Sequence, residues 1–164
     1  MVTLELVKPE GLEVFKAVRL RALQEAPSAF GSTYAREAQF TEDEWLARAM
    51  RWNGETGIGF LAIEDGAACG IAGAFLDQND GSRAHLVSMW TAPTHRRRGV
   101  GRMLVEAVPG WARLRGARSL HLMVTSMNEG AILFYERLGF AMTGRTEPYT
   151  NDVAMIEYEM AKSI

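Results

Sequence analysis

Thr91-Ala92-Pro93-Thr94-His95-Arg96-Arg97-Arg98-Gly99-Val100-Gly101-Arg102 is the stretch around which the chain is organised. A hydrophobic run, His85 to Thr91, leads into it, and an apolar-periodic helix begins near Gly99. Such a strand–loop–helix junction presents backbone N–H groups that have no intrahelical partner, at the positive end of the helix dipole. Gly99 and Gly101 let a ligand approach the backbone closely, and the four arginines add fixed charge on forked donors. The physics asks for a phosphate-bearing ligand.

The surrounding composition narrows the ligand. Net charge is −2 with pI about 5.9, which argues against a general nucleic-acid or anionic-membrane surface. Positive charge is local instead: Arg96, Arg97, Arg98, Arg102, Arg113, Arg115 and Arg118 face one acid, Glu106, across that span. A focused patch suits a small anionic ligand better than a polyanion. No apolar run approaches the ~20 residues that span a bilayer, and the first residues have neither the basic start nor the apolar core of a signal peptide. The single Cys69 excludes an internal disulfide framework and suits a reducing cytoplasm; on a strand it reads as a buried small hydrophobe. No metal is called for.

Outward from the arginine loop, the pattern predicts one α/β (α+β) domain over residues 1–164, with a mixed, mostly antiparallel sheet of six to seven strands. Val2 to Val7 alternates as a first strand, and Pro9-Glu10 opens a helix with Leu12, Phe15, Val18 and Leu23 at helical spacing. A broken helical region follows, where Thr41 and Glu44 form a capping box. Three strands then meander: Gly59 to Glu64, Ala68 to Leu76 and Ala84 to Thr91, the first pair joined by the hairpin dipeptide Asp65-Gly66. The central helix runs from Gly99 to Leu114 with Pro109 inside it, where a kink is expected. Ser119 to Thr125 is a fifth strand, and Asn128 caps a helix that ends at Gly139. Two strands, Phe140 to Arg145 and Val153 to Met160, surround a turn at Pro148-Tyr149. The order is βαα-βββ-α-β-α-ββ.

Known phosphate loops can be compared with this one. A P-loop needs Lys-Ser or Lys-Thr after its last glycine, and Gly101 is followed by Arg102-Met103. The dinucleotide fingerprint needs a third small residue where Leu104 stands, and an earlier strand. Arg96-x-x-Gly99-x-Gly101, preceded by Thr91-Ala92-Pro93, instead resembles the acyl-CoA pyrophosphate loop of the GNAT superfamily of N-acetyltransferases. Leu122 to Asn128, followed by Ala131, Phe134-Tyr135 and Gly139-Phe140, is similar to that superfamily's second motif.

The resemblance implies a GNAT-like fold and acetyl-CoA as co-substrate, with CoA as product. Met89, Trp90 and Thr91 would lie on the strand that pairs by backbone with the pantetheine arm. Arg97, Arg98, Gly99, Val100, Gly101 and Arg102 would wrap the pyrophosphate through backbone N–H groups, with the Arg96 and Arg102 side chains as extra contacts. Asn128 would touch CoA where the fifth strand leaves the fourth, and Tyr135 would act as general acid on the leaving thiolate. Each also has a packing alternative: Trp90 as core, Asn128 as a helix cap, Tyr135 as a partner of Phe134.

A primary amine of pKa about 10.4 must lose a proton before it attacks the thioester. Many relatives carry a glutamate for this on the fifth strand, where Met123 stands here, and the fourth strand offers no carboxylate. His121 and His85 are the alternative bases, besides a water chain. Phe30, Tyr34, Trp45, Glu147 and Tyr149 are candidate walls of the acceptor pocket. The implied acceptor is the primary amine of a small molecule or of a peptide or protein. No nucleic acid or membrane is involved, and a homodimer is compatible. The missing carboxylate motivates a competing reading, a non-catalytic acyl-CoA-binding regulatory module.

Overall fold

Asp65 and Gly66 both take positive φ, 52° and 78°, the backbone of a two-residue type I′ hairpin. They join β2 (Gly57–Glu64) to β3 (Ala67–Leu76) in the computed structural model, which describes all 164 residues. Strand β1 (Thr3–Leu6) pairs antiparallel with β2, and β4 (Arg83–Thr91) pairs antiparallel with β3. The remaining strands are β5 (Ser119–Thr125), β6 (Ala141–Tyr149) and β7 (Asp152–Ser163), giving one seven-stranded sheet in the order β1-β2-β3-β4-β5-β7-β6. The predicted architecture holds, with seven strands.

The two antiparallel halves meet at the parallel pair β4–β5. That pair is registered only over Arg83–His85 against Ser119–His121, after which the strands part. Strand β4 also bulges. Ile71 pairs with Trp90 and Gly73 with Val87, so Ser88 and Met89 together oppose Ala72, and Ser88 has φ of 57°. A bulge releases backbone groups from the ladder and bends the strand.

Small residues in β3 let helices come close. A Cβ on Gly70 would lie 2.9 Å from Leu104 of α4 (Val100–Leu114). Gly59 and Gly73, direct cross-strand partners, form a slot for an indole: their Cβ atoms would fall 2.0 and 2.3 Å from the Trp52 ring. Residues three apart on a strand look to opposite faces, so Gly70 and Gly73 serve opposite layers. On the Trp52 side, α1 (Leu12–Glu25) buries Phe15, Val18 and Leu23 beside α3 (Glu42–Arg51). The Thr41 capping box is formed in full, Glu44 N–H to Thr41 Oγ1 at 3.2 Å and Thr41 N–H to Glu44 Oε2 at 2.9 Å. A one-turn helix, α2 (Tyr34–Glu37), precedes α3 and accounts for the broken region.

The last hairpin departs from the sequence expectation. Pro148 and Tyr149 are the end of β6, with Pro148 opposite Ile156, and the turn comes at 150–151. The reason is position: β6 is the sheet's edge, where a residue without an N–H costs no ladder bond. Pro109 lies inside α4 and is buried. No helix is long and apolar enough to cross a membrane.

Candidate active site

The loop before α4 folds as a short 3-10 turn, Pro93–His95, then reverses through Arg97 (φ 61°) and Gly99 (φ 81°) before the helix starts at Val100. The amide of Arg96 is the last to bond backward, to Pro93, and Met103 is the first to bond into the helix, to Gly99. Between them the six N–H groups of residues 97–102 donate to no backbone or side-chain acceptor. Residues 97–99 and 102 are exposed and only Val100 is buried, so these amides are free to bond water or a ligand, and an anion at a helix N-terminus is the ligand the dipole favours. The residues fit a diphosphate.

The arginine side chains are arranged differently from the expectation of free phosphate contacts. Arg96 donates from Nη2 to Glu25 at 2.6 Å and from Nε to the Thr91 carbonyl at 3.1 Å. Arg98 grips both Glu64 oxygens at 2.9 and 3.2 Å, and Arg102 donates to Glu106 at 2.7 Å. Hydrogen bonds from Arg98 and His95 hold the Glu64 carboxyl at about 2, so it remains an anion. Glu25 and Glu64 are distant in sequence, which is why the local count of acids missed them. Arg97 alone keeps an uncommitted side chain, so the loop arginines chiefly fix its shape and leave its amides unpaired.

From this cradle the site continues into the gap between β4 and β5. Gly101 stands under Phe134 of α5 (Glu129–Arg137) and Met89 of β4, which a Cβ would approach to 3.1 and 3.3 Å. The gap is a cleft of about 450 Å³ whose walls include Met89, Ser88, Met123, Asn128, Tyr135 and Glu157. Asn128 lies at its rim and also caps α5, accepting from the Ala131 N–H at 3.2 Å, so both readings of that residue coexist. Tyr135 is 8% exposed and packs edge-on against Phe134 and Phe140. Burial pushes its phenol well above the ordinary range.

Trp90 and Thr91, by contrast, contribute backbone at most. The Trp90 ring is core, its Nε1 donating to Glu25 at 2.8 Å, and Thr91 Oγ1 is buried without a partner.

The two histidines are cross-strand partners with ring centroids 5.9 Å apart, but their surroundings differ. His85 lines the cleft, stacked on Phe75, with Nε2 2.8 Å from Asp77. His121 lies outside the cleft walls, its Nε2 2.9 Å from Ser119 Oγ and its Nδ1 3.6 Å from Glu159. Burial lowers its pKa, only partly offset by Glu159.

The carboxylate missing from β4 and β5 arrives from β7. Glu157, registered with Thr125, lines the cleft and makes no ion pair. Burial and the neighbouring Glu147, its cross-strand partner on β6, raise its pKa. No motif marked it; alternation along the last strand, read with its pairing to β5, was the available signal.

Of the proposed acceptor walls, Phe30 lines the cleft and is 4% exposed. Tyr149 stands behind it, donating its hydroxyl to the Phe30 and Pro27 carbonyls at 2.5 and 3.2 Å. Glu147 pairs with Arg145 and acts on the cleft through Glu157. Tyr34 is exposed and outside the cleft. Trp45 is a correction: it is fully buried between Phe15 and Phe40, because its capped helix turns that face inward.

Arg19 was not anticipated at all. This buried α1 residue lines the cleft and reaches the bulge, donating to Ser88 Oγ at 3.3 Å while gripping Glu37.

Known proteins share this fold. Streptothricin acetyltransferase from Streptomyces lavendulae is 38% identical over 86 residues, 52% of this chain but 45% of that enzyme, so the chain spans under half of that relative. A GNAT-family acetyltransferase from Streptococcus pneumoniae superposes with a TM-score of 0.82 over 100% of this chain and 99% of its own, at 22% identity. YncA of Salmonella typhimurium, solved with its cofactor acetyl-CoA, gives a TM-score of 0.79 over 99% of this chain and 94% of its own at 18% identity. A model of the acetyltransferase (GNAT) family matches residues 20–140, from the cleft-lining helix α1 through both motifs, and the chain belongs to that family.

Proposed function

We propose that this protein transfers the acetyl group of acetyl-CoA to a primary amine by direct attack, with no acyl-enzyme. The observation that carries the reading is the row of six unpartnered amides at residues 97–102, opening into a cleft with an acid, Tyr135, and a base, Glu157. The relatives' names and the acetyl-CoA held by YncA support it.

Bound acetyl-CoA supplies an electrophilic thioester carbonyl. The amides of 97–102 hold its diphosphate, and Met89, Phe134 and Asn128 border the path from that cradle into the cleft. Glu157 attracts the acceptor ammonium and takes its proton; its raised pKa makes it a stronger base than an ordinary carboxylate. As nitrogen bonds to the carbonyl carbon, negative charge builds on oxygen, and backbone N–H groups of the bulged stretch Ser88–Met89 receive it. The nitrogen, cationic after attack, gives its second proton to solvent, the carbon–sulfur bond breaks, and sulfur leaves as a thiolate. Tyr135 stays protonated at any working pH and stabilises that thiolate with its hydroxyl hydrogen. A thiol of pKa about 8.5 leaves adequately without full proton transfer, so Tyr135 assists the step.

Glu157 also removes the motive for the regulatory-module reading, which rested on a missing carboxylate. Calorimetry with coenzyme A on ligand-stripped protein, followed by thiol release from acetyl-CoA across an amine panel, tests both halves. Binding without turnover on any amine would refute the catalytic half.

A further inference from the structure

Past Phe75, Val87 and Ser88 the cleft opens into a larger groove of about 1040 Å³, walled by Trp52, Arg48 and Arg51. The same two arginines border a hollow of about 450 Å³ together with Arg36 and Glu37. All the carboxylates around these spaces are engaged. Glu37 takes Arg19 and Arg48, and Glu44 accepts the Thr41 amide. Asp77 is held by His85 and by the amides of Asn79 and Asp80. The cations are not matched in return: Arg51 and Arg36 have no side-chain partner, and Arg48 uses Nη1 alone, on Glu37 at 2.5 Å. Burial lowers the Arg48 pKa, Glu37 offsets this in part, and Arg19 and Arg51 lower it further.

The connected space is therefore bipolar. Its catalytic end carries Glu157, unpaired and negative; its far end carries spare guanidinium donors. Between them lie Phe75 and Trp52, the latter locked against Gly59 and Gly73 and so a fixed wall. We propose that the acceptor is a two-ended molecule, with its amine at Glu157 and a carboxylate or phosphate at the other end held by Arg51 and Arg48. The proposal rests on the acetyl-transfer reading of the cleft. Its chemical class is an ω-amino carboxylate or an aminoalkyl phosphate, since guanidinium forks match both oxyanions and an aliphatic spacer suits the aromatic wall.

The probes are a series of ω-amino carboxylates, the aminoalkyl phosphates of equal length, and unsubstituted alkylamines. Calorimetry of each with wild type and Arg51→Gln, in the presence of coenzyme A, gives a readout independent of turnover. One chain length in an anionic series should bind about tenfold or more tighter than its alkylamine, and Arg51→Gln should bring that ratio close to one. Comparison of the carboxylate and phosphate series shows which oxyanion is read. Equal binding of anionic and plain amines by wild type, or a preference that survives Arg51→Gln, overturns the proposal. Thiol release with the same compounds judges acetyl transfer separately: anionic preference in binding with no release keeps the groove and removes the reaction.

Discussion

Arg19 meets Glu37 as a fork, Nε to Oε1 and Nη2 to Oε2, both at 2.9 Å and both residues buried. The remaining Arg19 nitrogen reaches Ser88 in the β4 bulge at 3.3 Å. One ion pair thus ties the first two helices to the bulged strand β4. Burial alone would raise the Glu37 carboxyl, but Arg19, Ser32 and Arg48 outweigh it and hold it at about 2.

Glu37→Gln leaves Arg19 buried without its anion, and should cost about 3–5 kcal/mol. Because the folded pKa is depressed, the carboxylate's stabilisation is complete above its ordinary 4.5 and drains away as pH falls toward 2. Urea melts at pH 7 and pH 3 test this: wild type loses more stability between those two pH values than the variant does. Equal pH dependence in both proteins would refute the assignment.

Glu157→Gln removes the proposed base and should lower kcat/KM by about 100-fold or more. In wild type the acidic limb of the pH–rate profile lies above the ordinary glutamate range, since burial and Glu147 raise the Glu157 pKa. Glu147→Gln takes away a like charge, so the limb moves toward lower pH while activity at pH 8 persists. A limb that stays in place would separate Glu147 from the titration.

Tyr135→Phe deletes one hydroxyl from a buried ring and keeps its packing on Phe134 and Phe140. Turnover falls about 10–100-fold and coenzyme A affinity is retained. A thiol-release assay at saturating acetyl-CoA reads the change. Undiminished turnover would reduce Tyr135 to a packing residue.

Gly99→Ala strains a residue held at φ 81° in the middle of the free amides, just before the helix. The backbone penalty is about 1–2 kcal/mol, and relief of the strain moves the cradle. Coenzyme A should bind roughly tenfold more weakly, a loss of about 1.4 kcal/mol, measured by calorimetry. Gly101→Val gives a second approach, since any Cβ there already presses on Phe134 at 3.1 Å. Unchanged affinity in both variants would mean that the diphosphate lies elsewhere.

Trp45→Ala hollows the interior beneath α3 rather than reshaping an acceptor wall. It should cost about 3–5 kcal/mol in stability and leave the ranking of acceptor amines as it was. A changed acceptor preference in the folded variant would restore Trp45 to the pocket.

The arginine loop, the hairpin dipeptide, the Thr41 box and the Asn128 cap were all legible in the chain itself. Each is a local device: a glycine at positive φ, a side chain bonding a nearby amide, or a periodicity over a few turns. Six donors without acceptors follow from a glycine-rich helix start, so the cradle could be named before any fold was drawn. Charge partners and burial are different in kind, because they depend on what folds over a residue from elsewhere. Glu25 and Glu64 reach Arg96 and Arg98 across 71 and 34 residues, and their carboxylates engage both guanidiniums. Trp45 became core and Glu157 became the cleft's carboxylate for the same reason: helix and strand patterns say which residues share a face, and only the packed sheet decides what that face meets.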